Sequence, residues 1–400
     1  MKTLHLICNA HLDPVWMWDW DDGLSAAVST FYTAAELAEE FDYVFCHNEA
    51  LLYEYIEKND PALFAHIRAL VSAGKWKIMG GWYLQPDCIA PSGEALVRQI
   101  RAGQRYFCEK FGVKPTVAVN LDSFGHHRSM VQILRKTGHN GYLFCRPMPE
   151  LVDLPNNPFK WVSADGSEIT AFRMEAADLY CSGRGEAVRS IREKLARQEH
   201  HDVACALWGV GNHGGGPSRK DLRDIEEFIK ESDRRVLHSC PEDFFHELGC
   251  TAVYDGRLLC FVKCYSSMQR IKRMHAEIEN LLFCTEKICA VASLNGTAYP
   301  FEAIRSAEKQ LCTIQFHDIL SGTCAADGEK SSLEKGAAAV AELRSRRNDA
   351  FYFLASCQLP SAQGVYPLFT FHFSHVREMQ IVEAEFLIES AIISDTERYR

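Results

Sequence analysis

No stretch of the sequence approaches the roughly 20 apolar residues that a membrane span needs. Met1-Lys2-Thr3 also leads straight into the strand-like Leu4-His5-Leu6-Ile7-Cys8, with no signal-peptide core or cleavage site. A cytoplasmic protein with no membrane partner is expected. There is no excess of positive charge either: 43 Lys and Arg stand against 53 Asp and Glu, for a formal charge of −10. That balance opposes nonspecific attraction to nucleic acid and to anionic membrane surfaces, so a neutral substrate fits better. The sequence holds 16 cysteines but no Cys-x-x-Cys pair, which signals neither a disulfide framework nor a thiolate zinc cluster. The spacing of Cys260 and Cys264 reads as small core residues, like the other thiols. Internal repeats and low-complexity tracts are absent. The glycine-dense stretch Gly209 to Pro217 lacks the Gly-Lys-Ser/Thr ending of a phosphate loop and the spacing of a dinucleotide fingerprint, which argues against nucleotide binding.

What is present is α/β order. With 400 residues and 47% hydrophobic content, the chain can bury a large core in two or three domains. Short apolar runs (Tyr43 to Cys46, Trp76 to Met79, Thr116 to Val119) alternate with helical patterns over Ala50 to Ile56, Pro61 to Ser72, Glu94 to Phe111 and Met130 to Thr137. Repeated strand–helix units favour a parallel sheet or a barrel. From about Tyr265 the strand signal fades. Amphipathic stretches over Met268 to Ala292, Phe301 to Phe316 and Ser332 to Leu354 predict a three-helix bundle. After Pro360, Tyr366 to Phe373 and Val382 to Ile388 alternate like antiparallel strands. Two strands make no stable independent sheet, so a β region cut short or continued elsewhere is expected. Its exposed strand edges would favour self-association into a homo-oligomer.

Three clusters carry chemistry. In His11-Leu12-Asp13, the period-two geometry of a strand points an imidazole and a carboxylate the same way, so that both can grip one cation. The pair follows an apolar strand, and in α/β barrels the carboxyl ends of the strands hold the active site. Asn120 to His127 also follows a strand, although Asp122 alone would read as a helix cap. His317-Asp318, ahead of Gly322-Thr323, alone would read as a helix terminus. Two Asp and two His make a ligand set that suits Zn²⁺ and also accepts Mn²⁺ or Co²⁺.

Taken in order, His11 to Trp16, Gly80-Gly81-Trp82 with Asp87, Asp122 to His126, and His317-Asp318 with Gly322-Thr323 resemble glycoside hydrolase family 38. Gly209 to Pro217 and Cys264 to Met268 are similar to its bacterial-type branch. The resemblance implies a distorted β/α barrel over residues 1–260, a three-helix bundle over 261–358 that completes the metal site, and the start of a truncated β-sandwich region over 359–400. It implies a zinc-dependent retaining α-mannosidase acting on α-mannoside oligosaccharides, in which His11, Asp13, Asp122 and His317 bind the metal and Asp122 doubles as the nucleophile. By the same resemblance Asp318 would hydrogen-bond the sugar and Trp16 would pack on its apolar face. A retaining mechanism also needs an acid/base. Where many relatives carry an Asp, this sequence has Asn212 followed by His213. His213 is the candidate, with Asp87 or Asp221 as alternatives, and Asn212 and Asp87 are further candidates for sugar contacts. Two competing readings are a metal-dependent carbohydrate deacetylase, whose ligands activate water, and a mannose-binding protein without turnover.

Overall fold

The computed structural model describes residues 2–175, 179–211 and 214–358, together with Phe371 and Phe373. The apolar runs become strands with little change: β1 (Thr3–Asn9), β2 (Phe45–Glu49), β3 (Trp76–Trp82) and β4 (Val117–Asn120). The first, second and fourth are buried along their whole length, as expected for strands covered on both faces. β5 (Gly125–His126), β6 (Gly141–Phe144), β7 (Phe159–Val162), β8 (Glu168–Arg173), β9 (Val203–Trp208), β10 (Arg235–His238), β11 (Val253–Tyr254) and β12 (Leu258–Leu259) follow.

Two five-stranded sheets result. In the first, β1 pairs in parallel with β9 along one edge. Its other edge is shared: Thr3 to Leu6 pair with β10, and Cys8 and Asn9 with β2, which continues to β3, all in parallel. The second sheet runs β11-β7-β8-β6-β4 and is parallel through β4, β6 and β8, with β7 antiparallel to β8. β5 and β12 form a separate two-stranded ribbon. The expected barrel is therefore open at the β3/β4 seam, where no ladder is formed among the described residues. Side chains bridge the seam instead: Trp82 Nε1 donates to the Val119 carbonyl at 2.8 Å and Asn48 Nδ2 to the same oxygen at 3.4 Å. At the end of β3, Gly80 and Gly81 take φ of +71° and +81°, which turns the backbone groups away from a regular extended pairing.

Helices Gln269–Leu294, Phe301–Ile314 and Ala326–Ser356 pack on one another. Thr285 Oγ1 donates to the Leu343 carbonyl between two of them. At Gly336 a Cβ would lie 2.6 Å from Met274 Cγ, so glycine permits the close approach of these two helices. The last helix starts at Ala326, ahead of the Ser332 read from the sequence, with Asp327 and Glu329 favourably placed at the positive end of its dipole. The helical layer is tied to the sheets by Arg98 on helix Gly93–Phe111, which donates to Glu286 at 2.9 Å, and by Gln99 Nε2, which donates to the Cys312 carbonyl at 2.7 Å.

The second helix stops at Ile314 instead of running to Phe316, because the backbone leaves it to pair with the sheet domain. Asp87 N–H donates to the Gln315 carbonyl (2.7 Å) and His317 N–H to the Gln85 carbonyl (3.2 Å). This exchange carries His317 out of the helical layer toward the strand ends. All the cysteines are free thiols, most of them buried. No helix among the described residues is long and apolar enough to cross a membrane. The strands expected over 359–400 lie outside the described residues, apart from Phe371 and Phe373, which pack near Ile288 and Ala350.

Candidate metal centre

His11 and Asp13 leave the carboxyl end of β1, Asp122 leaves that of β4, and His317 opens the short helix His317–Ser321. Three segments remote in sequence thus deliver one buried cluster. Asp13 Oδ1 lies 3.0 Å from His11 Nε2 and 3.4 Å from His317 Nε2. Asp122 Oδ2 and Asp318 Oδ2 stand 3.9 and 3.8 Å from His317 Nε2. Donor atoms of His11, Asp122 and His317 lie within 4.8 Å of one another, as do those of Asp13, His317 and Asp318.

Three of these atoms, His11 Nε2, Asp13 Oδ1 and His317 Nε2, are buried without a hydrogen-bond partner. Leaving such groups unpaired costs about 1–3 kcal/mol each, more when they are charged, and a cation among them would satisfy all three at once. The other nitrogen of the His317 ring explains its aim. Nδ1 lies 3.0 Å from the Gln85 carbonyl, which can only accept, so Nδ1 carries a proton and Nε2 is the nitrogen turned to the carboxylates. The donor set of imidazole and carboxylate fits Zn²⁺ or a neighbouring divalent ion.

Without a bound cation the carboxylates favour a charged His317, whose Nε2 proton a metal would displace. Burial alone would strip charge from His317, but Asp13, Asp318 and Asp122 outweigh it and hold the ring up to about 10. Burial likewise opposes an ionised Asp13, yet His11 and His317 keep its carboxyl well below the usual range. Asp318 is pushed up to about 7 by its own burial.

Above the cluster opens a cavity of about 460 Å³ whose lining includes Asp13, Asp122 and Asp318. Trp16, Phe124 and Phe261 supply aromatic wall, and Tyr180 and Arg146 line it as well. Arg146 Nε donates to Asp122 Oδ1 at 2.6 Å, while its guanidinium sits 5.7 and 5.3 Å from the ring centroids of Phe124 and Phe261. One oxygen of Asp122 is thereby committed to Arg146 and the other faces His317.

The remaining sequence candidates fall elsewhere. Asp87 is buried outside the cavity wall, and its carboxylate accepts from Ile89 N–H (2.9 Å), Ala90 N–H (2.7 Å) and the Tyr265 hydroxyl. Asp221 accepts from Gly185 N–H, Ala187 N–H and the Ser218 hydroxyl, pinning one loop to the helix Arg219–Glu231. Asn212 and His213 lie outside the described residues. The neighbouring Val210 and Gly216 exchange two backbone hydrogen bonds that close the loop's neck. Asp318 lines the cavity and accepts from the Thr323 hydroxyl. Sequence reasoning missed Arg146, Tyr180, Phe261 and Gln85. Arg146 did carry the positional signal used for His11 and Asp122, since it stands just past the carboxyl end of the apolar β6.

Curated relatives include alpha-mannosidase 2C1 of Homo sapiens, 26% identical over 80% of this chain and 32% of the relative. The alpha-mannosidase of Saccharomyces cerevisiae is 25% identical over 81% of the chain and 32% of the relative. The chain thus spans about a third of the length of these proteins. Among solved structures, an alpha-mannosidase from Enterococcus faecalis V583 superposes with a TM-score of 0.80 at 18% identity, over 89% of this chain and 43% of that one, a likeness of fold. The alpha mannosidase middle domain matches residues 260–354. With the Glycosyl hydrolases family 38 N-terminal domain matching residues 1–261, well over half of its length, the chain belongs to glycosyl hydrolase family 38.

Proposed function

We propose that the chain holds the catalytic centre of a zinc-dependent, retaining α-mannosidase that removes terminal α-linked mannose from oligosaccharides in the cytoplasm. The observation that carries this reading is the convergence of three unpartnered buried atoms, from His11, Asp13 and His317, beside Asp122 at a cavity walled by aromatic rings. Family membership and the names of the relatives support the same substrate class. The distorted barrel over 1–260, the three-helix bundle over 261–358 and a β region from 359 belong to this proposal. The family matches that end at 261 and begin at 260 support its first boundary.

His11, Asp13, Asp122 and His317 would hold the metal. When bound, Zn²⁺ supplies a Lewis-acid grip on adjacent sugar hydroxyls, which suits the axial 2-hydroxyl of mannose. Asp122 attacks the anomeric carbon through one carboxylate oxygen while Arg146 holds the other. The glycosidic C–O bond breaks, a proton passes to the leaving oxygen, and water later hydrolyses the glycosyl–Asp122 ester with net retention. Trp16 and Asp318, both in the cavity wall, are assigned to the sugar. With the carboxylates of Asp87 and Asp221 committed elsewhere, the proton donor is assigned to His213 and a sugar contact to Asn212. Asp87 is assigned to holding Tyr265 instead of touching sugar.

Chelation is expected to lower hydrolysis of an aryl α-mannoside by about tenfold or more, since metal-stabilised charge is worth several kcal/mol, and added zinc should restore it. Full turnover by chain shown by elemental analysis to be metal-free would refute the metal assignment. Arg146→Gln is expected to lower kcat on the order of 10²-fold with KM little changed, because about 1 Å of misplacement at a nucleophile costs that much. A change confined to KM would make Arg146 a binding residue only.

A further inference from the structure

Gln85 follows the turn after β3 and is completely buried. Each of its polar groups is committed, and most of them to the proposed metal centre. Its backbone N–H donates to Glu49 Oε1 at 3.3 Å. Its carbonyl accepts from both Nδ1 (3.0 Å) and the backbone N–H (3.2 Å) of His317. Its side-chain Oε1 accepts from Leu121 N–H at 2.7 Å, directly before Asp122, and its Nε2 lies 3.3 Å from His11 Nδ1. One residue thus touches both imidazoles and the backbone that carries the carboxylate.

The two rings are held with opposite polarity. Facing a carbonyl, His317 Nδ1 keeps its proton and leaves Nε2 free to bind a cation. His11 Nδ1 faces an amide donor. It must accept, so the proton of the neutral ring sits on Nε2, 3.0 Å from Asp13 Oδ1 but off the line of a hydrogen bond. The amide cannot turn over to relieve this, because its NH₂ would then meet Leu121 N–H. For His11 to bind a metal through Nε2, its proton must move to Nδ1, against the donor of Gln85.

We infer that Gln85 is a positioning residue that presets His317 as a metal ligand and holds His11 in the opposing tautomer, keeping the cation weakly bound and exchangeable. This rests on the reading of His11 and His317 as ligands. A glutamate at the same place reverses the conflict, since one oxygen accepts from Leu121 N–H and the other from His11 Nδ1–H.

The test pairs ¹⁵N NMR of histidine-labelled, metal-free chain, taken above the value of about 10 to which the carboxylates raise His317 so that the rings are neutral, with zinc affinity measured by chelator competition. The His11 signal is identified by comparison with His11→Gln. In the natural chain the His11 proton is expected on Nε2 and the His317 proton on Nδ1. In Gln85→Glu the His11 proton moves to Nδ1, and zinc is held roughly 10- to 100-fold more tightly, the usual span for partners that orient metal-binding histidines. A His11 proton on Nδ1 in the natural chain overturns the inference whether or not the variant folds. So does a folded Gln85→Glu with unchanged or weaker zinc affinity, or one that binds tighter with the proton unmoved, which would be a plain effect of added charge. If the natural chain and His11→Gln bind zinc equally, the metal-centre reading falls and this inference with it. Zinc binding that needs His11 but ignores residue 85 sinks the role of Gln85 alone.

Discussion

Asp122→Asn is expected to lower turnover of an aryl α-mannoside on the order of 10⁴-fold or more, the scale seen when a nucleophile is removed from a working site. The substitution keeps the shape of the side chain. Its amide oxygen can still accept from Arg146 Nε, which now donates to Asp122 Oδ1 at 2.6 Å. The variant should therefore fold and melt close to the natural chain. What it loses is the negative oxygen that faces His317 and the cavity, and with it the capacity to form a glycosyl ester. It also loses an anionic metal donor, so zinc content is measured beside the rate. A variant loaded with zinc to the natural level and still inactive isolates the nucleophile's part. Turnover within tenfold of the natural chain would remove Asp122 from that role.

Much of the scaffold was legible because it rests on local pattern. The run Leu4 to Cys8, apolar except for His5, becomes a strand buried throughout its length. The helix over Pro61–Ser72 has the bounds its periodicity predicts, with Asp60 accepting from Leu63 N–H as the cap and Pro61 at the first turn. His11 and Asp13 were legible for the same reason, since a two-residue spacing at a strand end fixes a shared direction. Gln85 was not legible. Its contacts join residues 36, 74 and 232 positions apart, and no local pattern encodes those distances. Asp87 has a second part that the sequence did not signal. Its place after Gly80-Gly81-Trp82 suggested a sugar contact, and the two backbone N–H groups that follow it and the distant Tyr265 hydroxyl claim its carboxylate. The open seam between β3 and β4 is likewise a matter of register between strands, which burial patterns along each strand leave undetermined.

Gly209→Ala is expected to be the most damaging glycine-to-alanine change among the described residues, destabilising the chain by about 4 kcal/mol, the sum of an unfavourable positive φ and a forced overlap at about 1–3 kcal/mol each. Gly209 follows β9 with φ of +120°, and a Cβ there would lie 2.0 Å from the carbonyl oxygen of Asn9. That oxygen belongs to rigid backbone at the end of β1, so no side chain can swing aside. The surroundings leave little slack: Gly209 N–H donates to Ser182 Oγ at 3.1 Å, its carbonyl accepts from Ser182 N–H at 2.9 Å, and Asn9 Nδ2 donates to the Tyr180 and Trp208 carbonyls. Relief must come from moving the end of β1, and His11 follows Asn9 by two residues. Gly112→Ala is the control. It also has a positive φ, +68°, but nothing lies within 4 Å of its Cβ, so only the left-handed backbone cost of about 1–2 kcal/mol applies. Thermal or urea melts of the two variants separate the effects: Gly209→Ala should unfold well below Gly112→Ala and lose zinc while still folded. Equal midpoints, with zinc retained in both, would mean that the end of β1 yields without cost, and that the position of His11 does not depend on the close approach at Gly209.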